Sequence, residues 1–143
     1  MNKKIIGRTD RADFPELKLR NIPIKIDTGA YTSSIHCSEI EEKEGKLSCV
    51  FIADKNALNS KNKITFASYK NVTVRSSNGI AQNRYVVEST IELFGKTYKI
   101  SLSLNDRSDM KFPVLIGRKF LNGKFIVDPE LENISVKEQK TSS

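Results

Sequence analysis

Lys25-Ile26-Asp27-Thr28-Gly29-Ala30 places a carboxylate at the end of an apolar strand and follows it at once with a hydroxyl and a glycine. An acid in that position sits where the backbone turns sharply and can donate hydrogen bonds back to it. Asp27 is therefore the first candidate for chemistry, with Thr28 and Gly29 shaping its turn. The same residue types also build ordinary turns, so the flanking chain has to decide. Upstream, Ile22, Ile24 and Ile26 alternate with Pro23 and Lys25, the period of two expected of a half-buried strand. Pro23 predicts a strand start or a sheet edge.

Further upstream, Ile5 and Ile6 predict a short strand, and Asp10, Asp13 and Pro15 predict a polar loop. Downstream, residues 31 to 40 are mixed, and the charged run from Glu39 to Lys46 is closed as a turn by Gly45. Leu47 to Ile52 is apolar on both faces, which predicts a central strand with Cys49 in the core. Ile64 and Phe66 begin another strand. Val72 to Val86 predicts a hairpin with its tip at Ser77-Asn78-Gly79, since Asn-Gly supplies the positive backbone angles of a tight reversal. A second hairpin turns at Phe94-Gly95-Lys96, after which Tyr98, Ile100, Leu102 and Leu104 alternate with polar residues. Phe112 to Ile116 is an apolar strand stopped by Gly117, Arg118 to Leu121 a short helical turn, and Phe125 to Val127 a last strand. Residues 137 to 143 read as a disordered polar tail. No helical periodicity is sustained for ~12 residues, so the pattern predicts a mainly β barrel or sandwich.

The 143 residues predict one domain over residues 1 to 136, large enough to bury a core without staples. No apolar run approaches the ~20 residues that span a bilayer. The N-terminus is charged at once, so the expected location is cytoplasmic, with Cys37 and Cys49 as reduced thiols. The net charge is +7, from 24 Lys and Arg against 17 Asp and Glu. The basic residues are scattered and not interleaved with stacking aromatics, which speaks for solubility and against a nucleic-acid partner. No internal repeat is present, so the chain does not carry two Asp-Thr-Gly half-sites.

Three features stand in a telling order: Ile-Asp-Thr-Gly-Ala at 26 to 30, the hairpin at 72 to 87, and Val-Leu-Ile-Gly-Arg at 114 to 118. Together they resemble the retropepsin-like (acid protease) fold, a closed β barrel with a glycine-tipped flap hairpin. Over more of the chain, three stretches resemble a bacterial retropepsin-like family named ATP-dependent zinc proteases. They are residues 5 to 37, with Ile-Gly-Arg near the start and the run from Lys25 to His36, then Asn105 to Arg118 and Phe125 to Pro129. The resemblance implies an aspartic-type peptidase with Asp27 catalytic and Thr28 and Gly29 in its loop. It also implies an association with ATP-grasp ligases that add glutamate tails to proteins, and so a peptide substrate.

The cofactors in that family name find no support in the residues. A zinc hydrolase needs about three protein ligands and an open position, whereas the chain has one histidine. His36, Cys37 and Cys49 make at most a partial set, and no Gly-Lys-Ser/Thr loop is present to cradle phosphates. The expectation is neither metal nor cofactor. An aspartic mechanism uses two carboxylates sharing one proton; with one Asp-Thr-Gly per chain it requires a homodimer in which Asp27 meets its symmetry mate. The expected substrate groove is lined by Ala30, by Arg75, Ser77, Asn78, Gly79 and Arg84 of the hairpin, and by Arg107 and Arg118. These arginines match the carboxylates of an acidic or glutamate-rich peptide. The competing expectation is a non-catalytic peptide-binding or regulatory module that serves a peptide-tailing ligase.

Overall fold

A computed structural model of the chain describes residues 2–52, 61–75, 79–106 and 111–141. The strands in order are β1 (Lys4–Ile6), β2 (Thr9–Phe14), β3 (Leu19–Ile26), β4 (Ser33–His36), β5 (Ser38–Lys43) and β6 (Lys46–Ile52). They continue with β7 (Lys61–Phe66), β8 (Lys70–Arg75), β9 (Ala81–Leu93), β10 (Lys96–Asn105), β11 (Val114–Ile116) and β12 (Phe125–Val127). Two short helices, α1 (Arg118–Leu121) and α2 (Ile134–Thr141), complete the described chain.

The main sheet runs β10-β4-β11-β3-β2-β9-β8, and β9 also pairs with β10. That extra pairing joins the two ends, so β10, β4, β11, β3, β2 and β9 close into a six-stranded barrel and leave β8 as an outer strand on β9. Closure removes the open sheet edges that would otherwise template association. Period-two alternation fills the inside: Ile22, Ile24 and Ile26 of β3, Val87 and Ile91 of β9, Ile100, Leu102 and Leu104 of β10, and Val114 and Ile116 of β11 are all buried. The expected mainly β closed barrel is the observed architecture.

Local chemistry accounts for the connections. The β9–β10 hairpin turns through Phe94 and Gly95, at φ 53° and 71°, with Leu93 opposite Lys96. Two positive angles in a two-residue loop match the twist of the flanking strands. A matching turn at Glu44-Gly45 links β5 and β6, and β6 is the central strand of the separate sheet β5-β6-β7, as its two-faced apolarity predicts. The β8–β9 hairpin forms in the register Lys70 opposite Val86 to Arg75 opposite Ala81, and Gly79 has φ 82°. Its expected tip residues Ser77 and Asn78 lie outside the described residues.

One expectation needs correction. Asp10 and Asp13 are in strand β2, not in a loop, with Asp10, Ala12 and Phe14 buried along one face. Pro23 is not at the start of β3, but pairing with β11 begins only at Ile24, so the proline lies at a local sheet edge, the other expected place. At the C-terminus, α2 runs from Ile134 to Thr141. That helix docks on β2: the Asp10 carboxylate accepts the Ser135 N–H at 3.0 Å and the Arg11 N–H at 2.8 Å, and the Ser135 hydroxyl accepts the Phe94 N–H at 2.9 Å. A carboxylate at a helix N-terminus satisfies amides that have no partner within the helix. No described helix is long and apolar enough to cross a membrane.

Candidate active site

β3 and β4 are joined by the loop that carries Asp27, yet they are not neighbours in the sheet. β11 lies between them, parallel to β3 (Ile116 opposite Ile26) and antiparallel to β4 (Val114 opposite Ile35). The segment leaving β11 therefore passes directly beneath the loop and clamps it. The Asp27 N–H donates to the Ile116 carbonyl at 2.8 Å. The Arg118 N–H donates to the Ala30 carbonyl at 2.9 Å, and the Lys119 N–H to the Tyr31 carbonyl at 2.8 Å. The Gly117 N–H donates to the buried Ser33 hydroxyl at 3.0 Å. Gly117 is required by proximity, since a Cβ there would lie 2.6 Å from the Thr32 carbonyl oxygen and 2.7 Å from that of Tyr31.

Within the loop, the Asp27 Oδ1 accepts the Gly29 N–H at 3.1 Å, and the Ala30 N–H donates to the Asp27 carbonyl at 3.2 Å. One carboxylate oxygen is thereby fixed by the turn. Among the described residues no second carboxylate is bonded to Asp27. Thr28, Gly29 and Tyr31 are exposed, so the loop is held from below and open above. Gly29 meets only Asp27 Oδ1, at the ordinary distance of 3.4 Å from a built Cβ, so nothing else in its own chain crowds it.

The arginines divide. The Arg118 guanidinium donates to the Thr28 carbonyl at 2.8 Å and lies 5.8 Å from the Tyr31 ring centroid, so it is spent on holding the loop. Arg84 stands on β9 opposite Val72 and reaches the Gln82 Oε1 at 3.5 Å. Arg75 is paired with Ala81 at the end of β8, its side chain outside the described set, and Arg107 lies outside the described residues altogether. The sequence does not reveal that Ser33 anchors Gly117, nor that Lys70, Lys99, Lys119 and Lys124 surround a cavity beside the loop. The lysines on the strands were within reach: the Phe94-Gly95 turn fixes the β9–β10 register and hence which residues share the outer face.

The residues considered for zinc do not assemble as a metal site. No group of three or more His, Cys, Asp or Glu side chains is placed to hold a metal ion among the described residues. Cys37 and Cys49 are buried free thiols that hydrogen bond to each other, while His36 Nδ1 is buried without a partner. The bond to Cys49, and then burial, push the Cys37 thiol up; Cys49, at the other end of the bond, is lowered. A paired neutral thiol in the core is a packing element and not a nucleophile.

A closed six-stranded barrel whose Asp-Thr-Gly loop is clamped by a strand threaded between its two flanking strands is a retropepsin-like architecture. Residues 5–138 match the family described as RimB-like, retropepsin-like aspartic endopeptidase RimB, and the chain belongs to that family. A protein of Shewanella pealeana named "Probable alpha-L-glutamate ligase" is 34% identical over 134 residues, covering 90% of this chain and 29% of that protein. A protein of the same name from Desulfotalea psychrophila is 31% identical over 136 residues, covering 91% of this chain and 29% of its own length. The chain thus spans less than a third of these relatives. Among solved structures, the Legionella pneumophila protein Lpg0085, of unknown function, has the same fold, with a TM-score of 0.74 and 24% identity over 94% of this chain and 99% of that one.

Proposed function

We propose that the protein is an aspartic-type peptidase that hydrolyses peptide bonds at a site completed by a second copy of the chain. The observation that carries this reading is the Asp27 loop: clamped by the segment 116–119, oriented by the Gly29 N–H, and open at Thr28 and Gly29. An isolated carboxylate is half of the needed pair, and an exposed apex leaves room for a two-fold mate. In the pair, the ionised Asp27 takes a proton from water as its oxygen bonds to the carbonyl carbon, and the protonated Asp27 of the other copy gives its proton to the carbonyl oxygen. As the tetrahedral adduct collapses, one of its hydroxyls gives its proton to the ionised carboxylate, the C–N bond breaks, and the amine leaves with the proton of the other carboxylate, so the pair again shares one proton. Thr28 and Gly29 brace the facing loops, and Ala30 with the hairpin around Gly79 and Arg84 borders the bound peptide.

The substrates we infer are acidic or glutamate-rich peptides, and the setting is the cytoplasm, where the two thiols stay reduced. The names of the relatives support a link to glutamate ligation, and a chain matching under a third of such proteins fits a domain that works beside an ATP-grasp ligase. The same observation favours a second reading, a non-catalytic peptide-binding or regulatory module for that ligase. Molar mass in solution together with hydrolysis of a quenched glutamate-rich peptide separates the two. A dimer whose turnover vanishes in Asp27→Asn supports the peptidase; a monomer that binds the peptide without cleaving it supports the module.

A further inference from the structure

On the outside of the barrel, beside the Asp27 loop, lies a cavity of 440 Å³. Its floor is the outward face of β8, β9 and β10, where register aligns Lys70 with Val86 and Ser103, Val72 with Arg84, and Glu88 with Ser101. Its walls are Thr32 and Ser33, the residues that leave the Asp27 loop, and Lys119, Phe120 and Lys124 at and after α1. The Lys119 backbone is bonded to Tyr31, so cavity and loop are tied together.

The charge of this cavity is one-sided. Lys70, Arg84, Lys99, Lys119 and Lys124 border it against one carboxylate among its lining residues, Glu88, which accepts the Ser101 hydroxyl at 2.6 Å. Lys124 donates to the Phe120 carbonyl at 2.9 Å. Among the described residues, Lys70, Lys99 and Lys119 have neither an ion pair nor a side-chain hydrogen bond; the ion pairs lie elsewhere, at Lys4–Glu138 and Arg8–Glu132. Unpaired like charges drawn together repel one another, and an anion between them relieves that repulsion. Ser103, 4% exposed, lines the same cavity with its hydroxyl unpartnered, and a buried polar group without a partner is the exception in folded proteins.

Between the cations the surface of the outward face is apolar, made by Val72 and Val86. An anion that fits must carry an aliphatic stem as well as charge. Stacked bases find no platform here: Phe120 is buried, packed on Phe125 at 5.9 Å and Tyr98 at 5.7 Å, with Lys124 over its ring at 4.9 Å. We propose that this cavity is a glutamyl subsite, in which the methylenes of a substrate glutamate lie on Val72 and Val86 and its carboxylate is held by Lys99 and Lys119, making these two lysines specificity-determining residues. The assignment rests on the peptidase reading of the neighbouring Asp27 loop and adds to it the residues that select the peptide.

Binding is measured apart from turnover, by fluorescence anisotropy of labelled hexaglutamate and hexaglutamine on the full chain carrying Asp27→Asn. The expected result is preference for hexaglutamate, weakened by salt, and a loss of about tenfold or more when Lys99→Glu and Lys119→Glu are added. Both lysines are exposed, and the milder Lys99→Gln with Lys119→Gln gives a smaller loss in the same direction. Equal binding of the two peptides, unchanged hexaglutamate affinity in the charge-reversed protein, or tighter binding of a single-stranded oligonucleotide that competes at these lysines overturns the proposal. If the unsubstituted protein cleaves nothing while binding still follows Lys99 and Lys119, the subsite stands and the peptidase reading falls. If cleavage depends on Asp27 but is indifferent to both lysines, the reverse holds.

Discussion

The backbone N–H of Asp27 lies 2.8 Å from the carbonyl oxygen of Ile116, a residue 89 positions further along the chain. The position of the candidate catalytic carboxylate is thus set by a strand made much later in sequence, and the residues just beyond that strand fix the rest of the loop. Substitutions near residue 117 act on Asp27 without touching it.

Gly117→Ala introduces a methyl group 2.6 Å from the Thr32 carbonyl oxygen, backbone against backbone, where neither side yields easily. Overpacking of this kind costs roughly 1–3 kcal/mol. Urea denaturation is expected to show that loss, accompanied by reduced peptide turnover because the same shift displaces the loop.

Asp27→Asn keeps an acceptor for the Gly29 N–H and removes the ionisable group. Thermal unfolding should change little, while hydrolysis of a glutamate-rich peptide falls by roughly 10²–10⁴-fold, the range for loss of a general acid or base. Unchanged turnover would assign the chemistry elsewhere.

Arg118→Lys retains a positive charge but loses the planar group that reaches the Thr28 carbonyl and lies against Tyr31. With a loosened loop, kcat is expected to fall more than KM rises. A pure KM effect would instead place Arg118 in direct contact with substrate.

Asp10 supplies the pH dependence. Burial raises its pKa above 3.8 and outweighs the opposing backbone hydrogen bonds from Ser135, Arg11 and Val136. A carboxyl whose folded pKa is raised gives stability that is complete below the unfolded value and is lost as pH climbs through the folded one. Unfolding midpoints of the parent are therefore expected to fall, relative to Asp10→Asn, as pH rises from about 4 towards neutrality. The amide cannot accept both N–H groups, so Asp10→Asn is also less stable at acidic pH, by about 1–3 kcal/mol for one unpaired buried donor.

Residues 22 to 30, 94 to 96 and 114 to 117 were legible in the sequence because their information is local. Alternating isoleucines, a Phe-Gly turn and an apolar run stopped by glycine each determine their own conformation. Strand β2 was not legible: Asp10, Asp13 and Pro15 carry turn propensity, and Asp10 is in a strand because it caps a helix that begins more than 120 residues later. The polar sequence of α2 gives no sign of burial for the same reason, since what it docks on is distant. Arg118 stood out beside Gly117, but its guanidinium turns inward to Thr28, which no local pattern reveals. The lysines looked scattered because they come from four separate segments; only the closed barrel brings them to one cavity. Expectations at Ser77, Asn78 and Arg107 fall outside the described residues.

Threading β11 between the two strands that Asp27 joins has a consequence in time. Until residues 114–119 are in place, the hairpin from Leu19 to His36 has a gap where its middle strand belongs, and the loop lacks its amide contacts. Contacts between distant segments form late, because loop closure must precede them. A chain still emerging from synthesis therefore holds Asp27 in an unset geometry, and the loop takes its final shape only once synthesis has passed residue 119.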